Sequence, residues 1–139
     1  MVGDTWSPTA SMRNLKYFLA DAAKHKARVH QLYFIGAFFQ AKVKNRVFVN
    51  LDIRYTYYFP EYEKYSGRAM ILLKSMYGMT NSGKLFAGEL TEWLIEAGFI
   101  KSQCQMSIYY KYVPYGSKIV VLSYVDDCFY WYTYEALGK

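Results

Sequence analysis

Apolar positions first recur at spacings of three and four. Met12, Leu15, Leu19 and Ala22 follow Ser11, a good capping residue. That pattern predicts a helix with one apolar face, after a loop-like start over residues 1–10 that Pro8 helps to end. Lys16, Lys24 and Lys26 lie elsewhere on this helix, as a solvated face or as phosphate contacts. The period then shortens. Residues 28–34 read as a strand, 36–40 as a short helical turn, and 46–51 alternate as a second strand. Residues 52–67 are rich in tyrosine and irregular, with Pro60 and Gly67 as breakers. Residues 69–74 form a short strand candidate, and Tyr77-Gly78 a turn. A helical period returns over residues 81–97, where Leu85, Phe86, Leu90, Trp93, Leu94 and Ala97 share a face and Gly98 stands at the cap. Gly88 weakens its middle by up to about 1 kcal/mol relative to alanine.

The last third alternates. Residues 107–113 and 118–124 are strands joined by a turn at 114–117. A second hairpin has Val125-Asp126-Asp127 at its tip and residues 128–134 as its outgoing strand, and a further helix is expected from Glu135. The order of elements predicts an α+β fold, a mostly antiparallel sheet with helices packed on one face.

Composition narrows the class. A length of 139 residues fits one domain or part of a larger one. Hydrophobic residues at 53% against 20% charged argue for a packed core and against disorder. The net charge of +6 favours polyanionic partners, or serves solubility alone. Sixteen tyrosines suit strands and half-buried surfaces, and offer faces on which bases stack. Cys104 and Cys128 have no metal-type spacing and read as small buried side chains in a reducing, intracellular compartment. The polar opening is unlike a secretory signal, and no apolar run is long enough for a bilayer, so no membrane partner is expected.

Asp126 and Asp127 are the sharpest chemical feature. Adjacent carboxylates between apolar strands are costly unless solvent or a cation compensates them. Aspartate is also a favoured turn residue, which accounts for the pair without any chemistry. The alternative is divalent-metal binding, since Mg²⁺ takes a few carboxylates on a rigid support together with substrate phosphates.

The segment Ser123-Tyr124-Val125-Asp126-Asp127, between hydrophobic strands, resembles the metal-binding motif of reverse transcriptases. Other blocks resemble the copia-type (Ty/copia) LTR retrotransposon subfamily, in order and spacing. Residues 29–39, Val-His-Gln-Leu-Tyr-Phe-Ile-Gly-Ala-Phe-Phe, are similar to that family's first catalytic block, and 46–49 to the strand after it. Lys74-Ser75-Met76-Tyr77-Gly78-Met79 is similar to its "LYGLKQ" segment, followed by a helix carrying Lys84, Leu85 and Phe86. Residues 105–109 fall where the family has a short strand before the hairpin, and 3–8 resemble the segment before the first helix.

The resemblance implies a single partial reverse transcriptase domain, part of the fingers plus the palm, with thumb and RNase H absent. It implies RNA-directed DNA synthesis by two-metal phosphoryl transfer with Mg²⁺ or Mn²⁺. The implied partners are an RNA or DNA template with primer, deoxynucleoside triphosphates, and the rest of a retrotransposon polyprotein. Asp126 and Asp127 match two of the family's three metal-binding aspartates. Position 33 matches the third, and here it is Tyr33, a neutral phenol at pH 7. The implied outcome is weak metal binding and little polymerisation, unless Tyr33 is simply a packed strand aromatic and Asp21 or Asp52 supplies the carboxylate. Phe38 matches the aromatic that closes the sugar pocket, or is a core phenylalanine. Gly78 matches the glycine beside the incoming nucleotide, and is also a turn glycine. Tyr124 and Val125 belong to the nucleotide-binding side of the motif, with Val125 near the primer end. A non-catalytic nucleic-acid-binding remnant and a functionless fragment are the other readings.

Overall fold

The computed structural model describes residues 9–133. In chain order these form α1 (Met12–Lys24), β1 (His30–Tyr33), α2 (Ala37–Gln40), β2 (Phe48–Asn50) and α3 (Ile53–Tyr58). A 3₁₀ turn at Pro60–Tyr65 follows, then β3 (Ala69–Ile71), α4 (Ser82–Glu96), β4 (Ile100–Lys101), β5 (Ile108–Tyr112), β6 (Lys118–Tyr124) and β7 (Asp127–Tyr132). The helix expected from Glu135 and the motif block at residues 3–8 lie outside the described residues.

Five strands form one sheet in the order β1-β7-β6-β5-β4, every neighbour antiparallel. β2 and β3 pair separately as a two-stranded ribbon. The architecture is therefore a mixed helix and antiparallel sheet fold. The helices do not sit on one face, as the order of elements predicted. Alternation along β6 sends Val120 and Leu122 to one side, where they pack with Ile108, Trp131 and the α1 residues Phe18 and Ala22. Val121 points to the other side and packs with Tyr109, Cys128, Ala37 and Ala41 of the α2 region, and Phe86 and Leu90 of α4. The central strands are apolar on both faces because both faces are covered.

Ser11 caps α1, its hydroxyl accepting the Asn14 N–H at 3.2 Å. The buried stripe runs through Asn14, Phe18 and Ala22, whereas Met12 and Leu19 are exposed. The stripe turns away from the most apolar spacing because Asn14 is satisfied inside, donating its amide to the Met106 carbonyl at 2.6 Å. α4 buries Phe86 and Leu90 and half-buries Leu85 and Leu94, while Trp93 lies at its margin. It ends in a Schellman motif. Phe99 N–H donates to the Leu94 carbonyl and Gly98 N–H to the Ile95 carbonyl, both at 2.8 Å, with Gly98 at φ +87°.

Residues 52–67 are helical rather than irregular. Asp52 caps α3 by accepting the Arg54 N–H at 2.8 Å, and Pro60 opens the 3₁₀ turn, where a missing N–H costs nothing. Neither segment buries a residue, so no apolar stripe marks them. Of the two cysteines, Cys128 is buried as expected, but Cys104 is exposed. Among the described residues, no helix is long and apolar enough to cross a membrane.

Candidate functional site

The site is built on the β6–β7 hairpin. Tyr124 and Asp127 form its last pair, so Val125 and Asp126 alone make the turn, and Asp127 is the first residue of β7. Val125 has φ +52°. A β-branched residue in the left-handed region is strained, and two-residue hairpin turns demand such a φ. On the other side of β7 runs β1, and its register places Tyr33 directly opposite Asp127. The Phe34 N–H carries the ladder one step further, donating to the Asp126 carbonyl at 2.9 Å. The hairpin tip and the end of β1 are thus fixed side by side by backbone hydrogen bonds.

The two carboxylates engage different partners. Asp127 Oδ1 accepts from Gln31 Nε2 at 2.8 Å. Gln31 and Tyr33 are two apart on β1 and share a face with Asp127, the face that α1 covers further along the sheet. Asp126 Oδ2 accepts from the Tyr77 hydroxyl at 3.1 Å. The Tyr77 ring lies 4.6 Å from that of Phe38 and 5.5 Å from that of Phe39, centroid to centroid. Burial, then the Asp126 carboxylate beside it, push the Tyr77 phenol above its ordinary pKa. Asp126 Oδ1 is buried and has no hydrogen-bond partner among the described residues.

The structure therefore brings Tyr33, Tyr124, Val125, Asp126 and Asp127 to one hairpin tip. Phe38 reaches it through Tyr77, and its ring also lies 6.4 Å from that of Phe86, within the α2–α4 core. Gly78 follows Tyr77 with φ +92°, and a Cβ there would meet nothing within 4 Å. It serves the turn, with open space in front of it. Asp21 and Asp52 are held elsewhere. Asp21 pairs with Lys118 at 3.2 Å, and Asp52 caps α3 and pairs with Arg54. The sequence alone does not mark Gln31 and Tyr77 as contacts of the carboxylates. Gln31 joins through its two-residue spacing from Tyr33 on β1, and Tyr77 through the fold of the β3–α4 connection.

Two bridged divalent ions need several carboxylates aimed at common points. Asp126 and Asp127 diverge to Tyr77 and Gln31, and Tyr33 adds no charge. Among the described residues, no three His, Cys, Asp or Glu side chains are grouped so as to hold a metal. The residues present do not fit a two-ion set. The tip exposes the phenols of Tyr33 and Tyr124, while the orphaned Asp126 oxygen is shielded from solvent.

The family model described as reverse transcriptase (RNA-dependent DNA polymerase) matches residues 2–133. No curated protein and no solved structure gave a significant match. A match over nearly the whole sequence, with the Tyr-Val-Asp-Asp turn at the end of its central hairpin, makes the chain a member of the reverse transcriptase family.

Proposed function

We propose that this chain is the partial fingers and palm of a copia-type retrotransposon reverse transcriptase, disabled for DNA synthesis at position 33. The reading rests on one observation above the others: Tyr33 lies directly opposite Asp127 in the β1–β7 register. An aspartate at that position would place a third carboxylate beside the Asp126–Asp127 pair. A phenol leaves the site one charge short and fills the space with a ring. Its natural partners are an RNA or DNA template with primer, deoxynucleoside triphosphates and the remainder of the polyprotein. The residues at the tip keep a binding role: Tyr77 and Gln31 fix the two carboxylates, while Tyr124 and Val125 present the turn to a primer end.

The test is primer extension on an RNA template with Mg²⁺ or Mn²⁺. The chain is joined to upstream and thumb segments of an active relative, once as it stands and once with Tyr33→Asp. Extension only with aspartate is the expected result. Extension with tyrosine would show that another group supplies the third carboxylate, and silence in both would remove the proposal in favour of a purely binding role. The expected gain is about 10²- to 10³-fold, the scale on which removal of a charge-stabilising catalytic group is felt.

A further inference from the structure

We propose a second site, a surface hollow on α3 that stacks the unpaired bases of single-stranded nucleic acid. It adds a ligand surface to the nucleic-acid reading above, but stands or falls apart from position 33. The hollow measures about 610 Å³ and is lined by Ile53, Arg54, Thr56, Tyr57, Tyr58 and Glu63. That is within the range of roughly 300–1,000 Å³ of small-ligand clefts. Its two tyrosines are the most exposed aromatics on α3, Tyr57 at 86% and Tyr58 at 76%. Nearby rings behave differently. Tyr55, Phe59 and Tyr62 pack on one another, Tyr55 stacking on Phe59 at 4.8 Å, and so form the small aromatic centre that supports this segment. Tyr57 and Tyr58 contact each other edge-on at 5.7 Å, which leaves ring faces open.

Charge selects the partner. Residues 42–74 hold seven of the seventeen basic side chains and three of the eleven acidic ones, so four of the net +6 charges fall in this stretch. Lys44, Arg46 and Arg68 are exposed in the segments that lead into β2 and β3, which bracket α3 in the chain. A polyanion is drawn to such a positively charged stretch, and exposed aromatic rings carried on it are the pattern that holds unpaired bases. A duplex keeps its bases stacked inside and shows no face to a protruding tyrosine, so single strands are favoured over duplexes. Within the hollow, Glu63 can accept a hydrogen bond from a base amino group, and the Thr56 side chain donates to the Ile53 carbonyl at 2.6 Å, which steadies the first turn.

The test is fluorescence anisotropy with the full chain and dye-labelled 12-nucleotide DNA, single-stranded and duplex. The single strand is expected to bind more tightly. Tyr57→Ala with Tyr58→Ala is expected to weaken single-strand binding by about 5- to 150-fold for each ring that stacks, and to leave the weaker duplex binding unchanged. Arg68→Gln is expected to lower the slope of log affinity against log salt by about one, equally for all sequences. Tyr57→Trp keeps the stacking face and supplies an indole, whose emission is expected to be quenched on binding. Failure here is read as single-strand affinity of the Tyr57 and Tyr58 variants and failure of the polymerase reading as primer extension at position 33, so the two are separable. Undiminished affinity in the double variant, or an unquenched indole, would overturn the proposal. So would a shift from dimer to monomer in sedimentation when both tyrosines are removed, which would mark the hollow as a face between two copies of the chain.

Discussion

At the scale of single residues, the hairpin tip joins negative charge to neutral donors. Tyr77 is the most informative of these. Its hydroxyl donates to Asp126 Oδ2, and partial burial together with that carboxylate raises its pKa. For a phenol the raised value favours the protonated form in the folded chain. The hydrogen bond therefore adds stability at every pH below the ordinary phenol value of about 10, and loses it as pH rises through the higher folded value. Ultraviolet titration of the folded chain is expected to show two tyrosines ionising later than the exposed ones, Tyr77 and the buried Tyr109. Tyr77→Phe should remove one of the two late components, and Asp126→Asn should move that one towards the ordinary value. Two late components surviving Tyr77→Phe would assign both to other rings. Tyr33, Asp126 and Asp127 are marked by the resemblance to the reverse transcriptase blocks; the short β6–β7 hairpin fixes its own register, but the β1–β7 pairing that sets Tyr33 opposite Asp127 joins distant segments and follows from the fold. The Tyr77 contact was not legible in the sequence, because it joins residues 49 apart through a connection with no periodic pattern. The β-branched Val125 at φ +52° is likewise invisible to propensity, which would place glycine or asparagine there.

At the scale of elements, α4 was legible because its apolar stripe and its terminal glycine agree. Gly88 inside this helix and Gly98 just past its end have opposite roles. Gly88 lies mid-helix with nothing within 4 Å of a built Cβ, so it costs backbone entropy and serves no contact. Gly88→Ala is expected to stabilise the chain by about 1 kcal/mol in urea unfolding. Gly98 terminates the helix at φ +87°, with Lys111 atoms at 3.5 Å from a built Cβ. Gly98→Ala is expected to destabilise by about 1–2 kcal/mol, the cost of a left-handed conformation for an L-residue. Equal and opposite shifts would confirm that one helix carries a dispensable glycine and an indispensable one; a loss at both positions would show that Gly88 admits a close neighbour. Elements without a buried stripe leave no periodic signal. α3 and the 3₁₀ turn after it bury no side chain, and only their start signals, Asp52 and Pro60, distinguish them from loop. β4 has two residues at the edge of the sheet and is defined by its pairing with Tyr109 and Tyr110, not by its own sequence.

At the scale of the whole molecule, local patterns predict the elements but not how they stack. A run such as Ile119-Val120-Val121-Leu122 fits a strand half-covered or covered on both sides, and only the assembled clusters show α1 on one face and α2 with α4 on the other. This arrangement divides stability unevenly. β5, β6 and β7 lie at the centre of the five-stranded sheet, with Trp131, Leu122 and Cys128 buried between two layers of helix. The β2–β3 ribbon and α3 carry Phe48, Ile53 and Ile71 exposed, and none of β2, β3 or α3 contributes a residue to either buried cluster. A two-stranded ribbon without a covered apolar face is marginal on its own. Hydrogen exchange should therefore separate the molecule into two tiers. Amides of β6 and β7 exchange only by global opening, while those of β2, α3 and β3 exchange through local opening at much lower free energy. Saturating single-stranded DNA should slow the second group selectively, because a ligand that binds the ordered segment stabilises it in proportion to its occupancy. Equal protection of both tiers in the free chain would mean that the ribbon is welded to the sheet. Slowing of the hairpin-tip amides instead of the ribbon would move the single-strand contact from α3 to the Asp126–Asp127 turn.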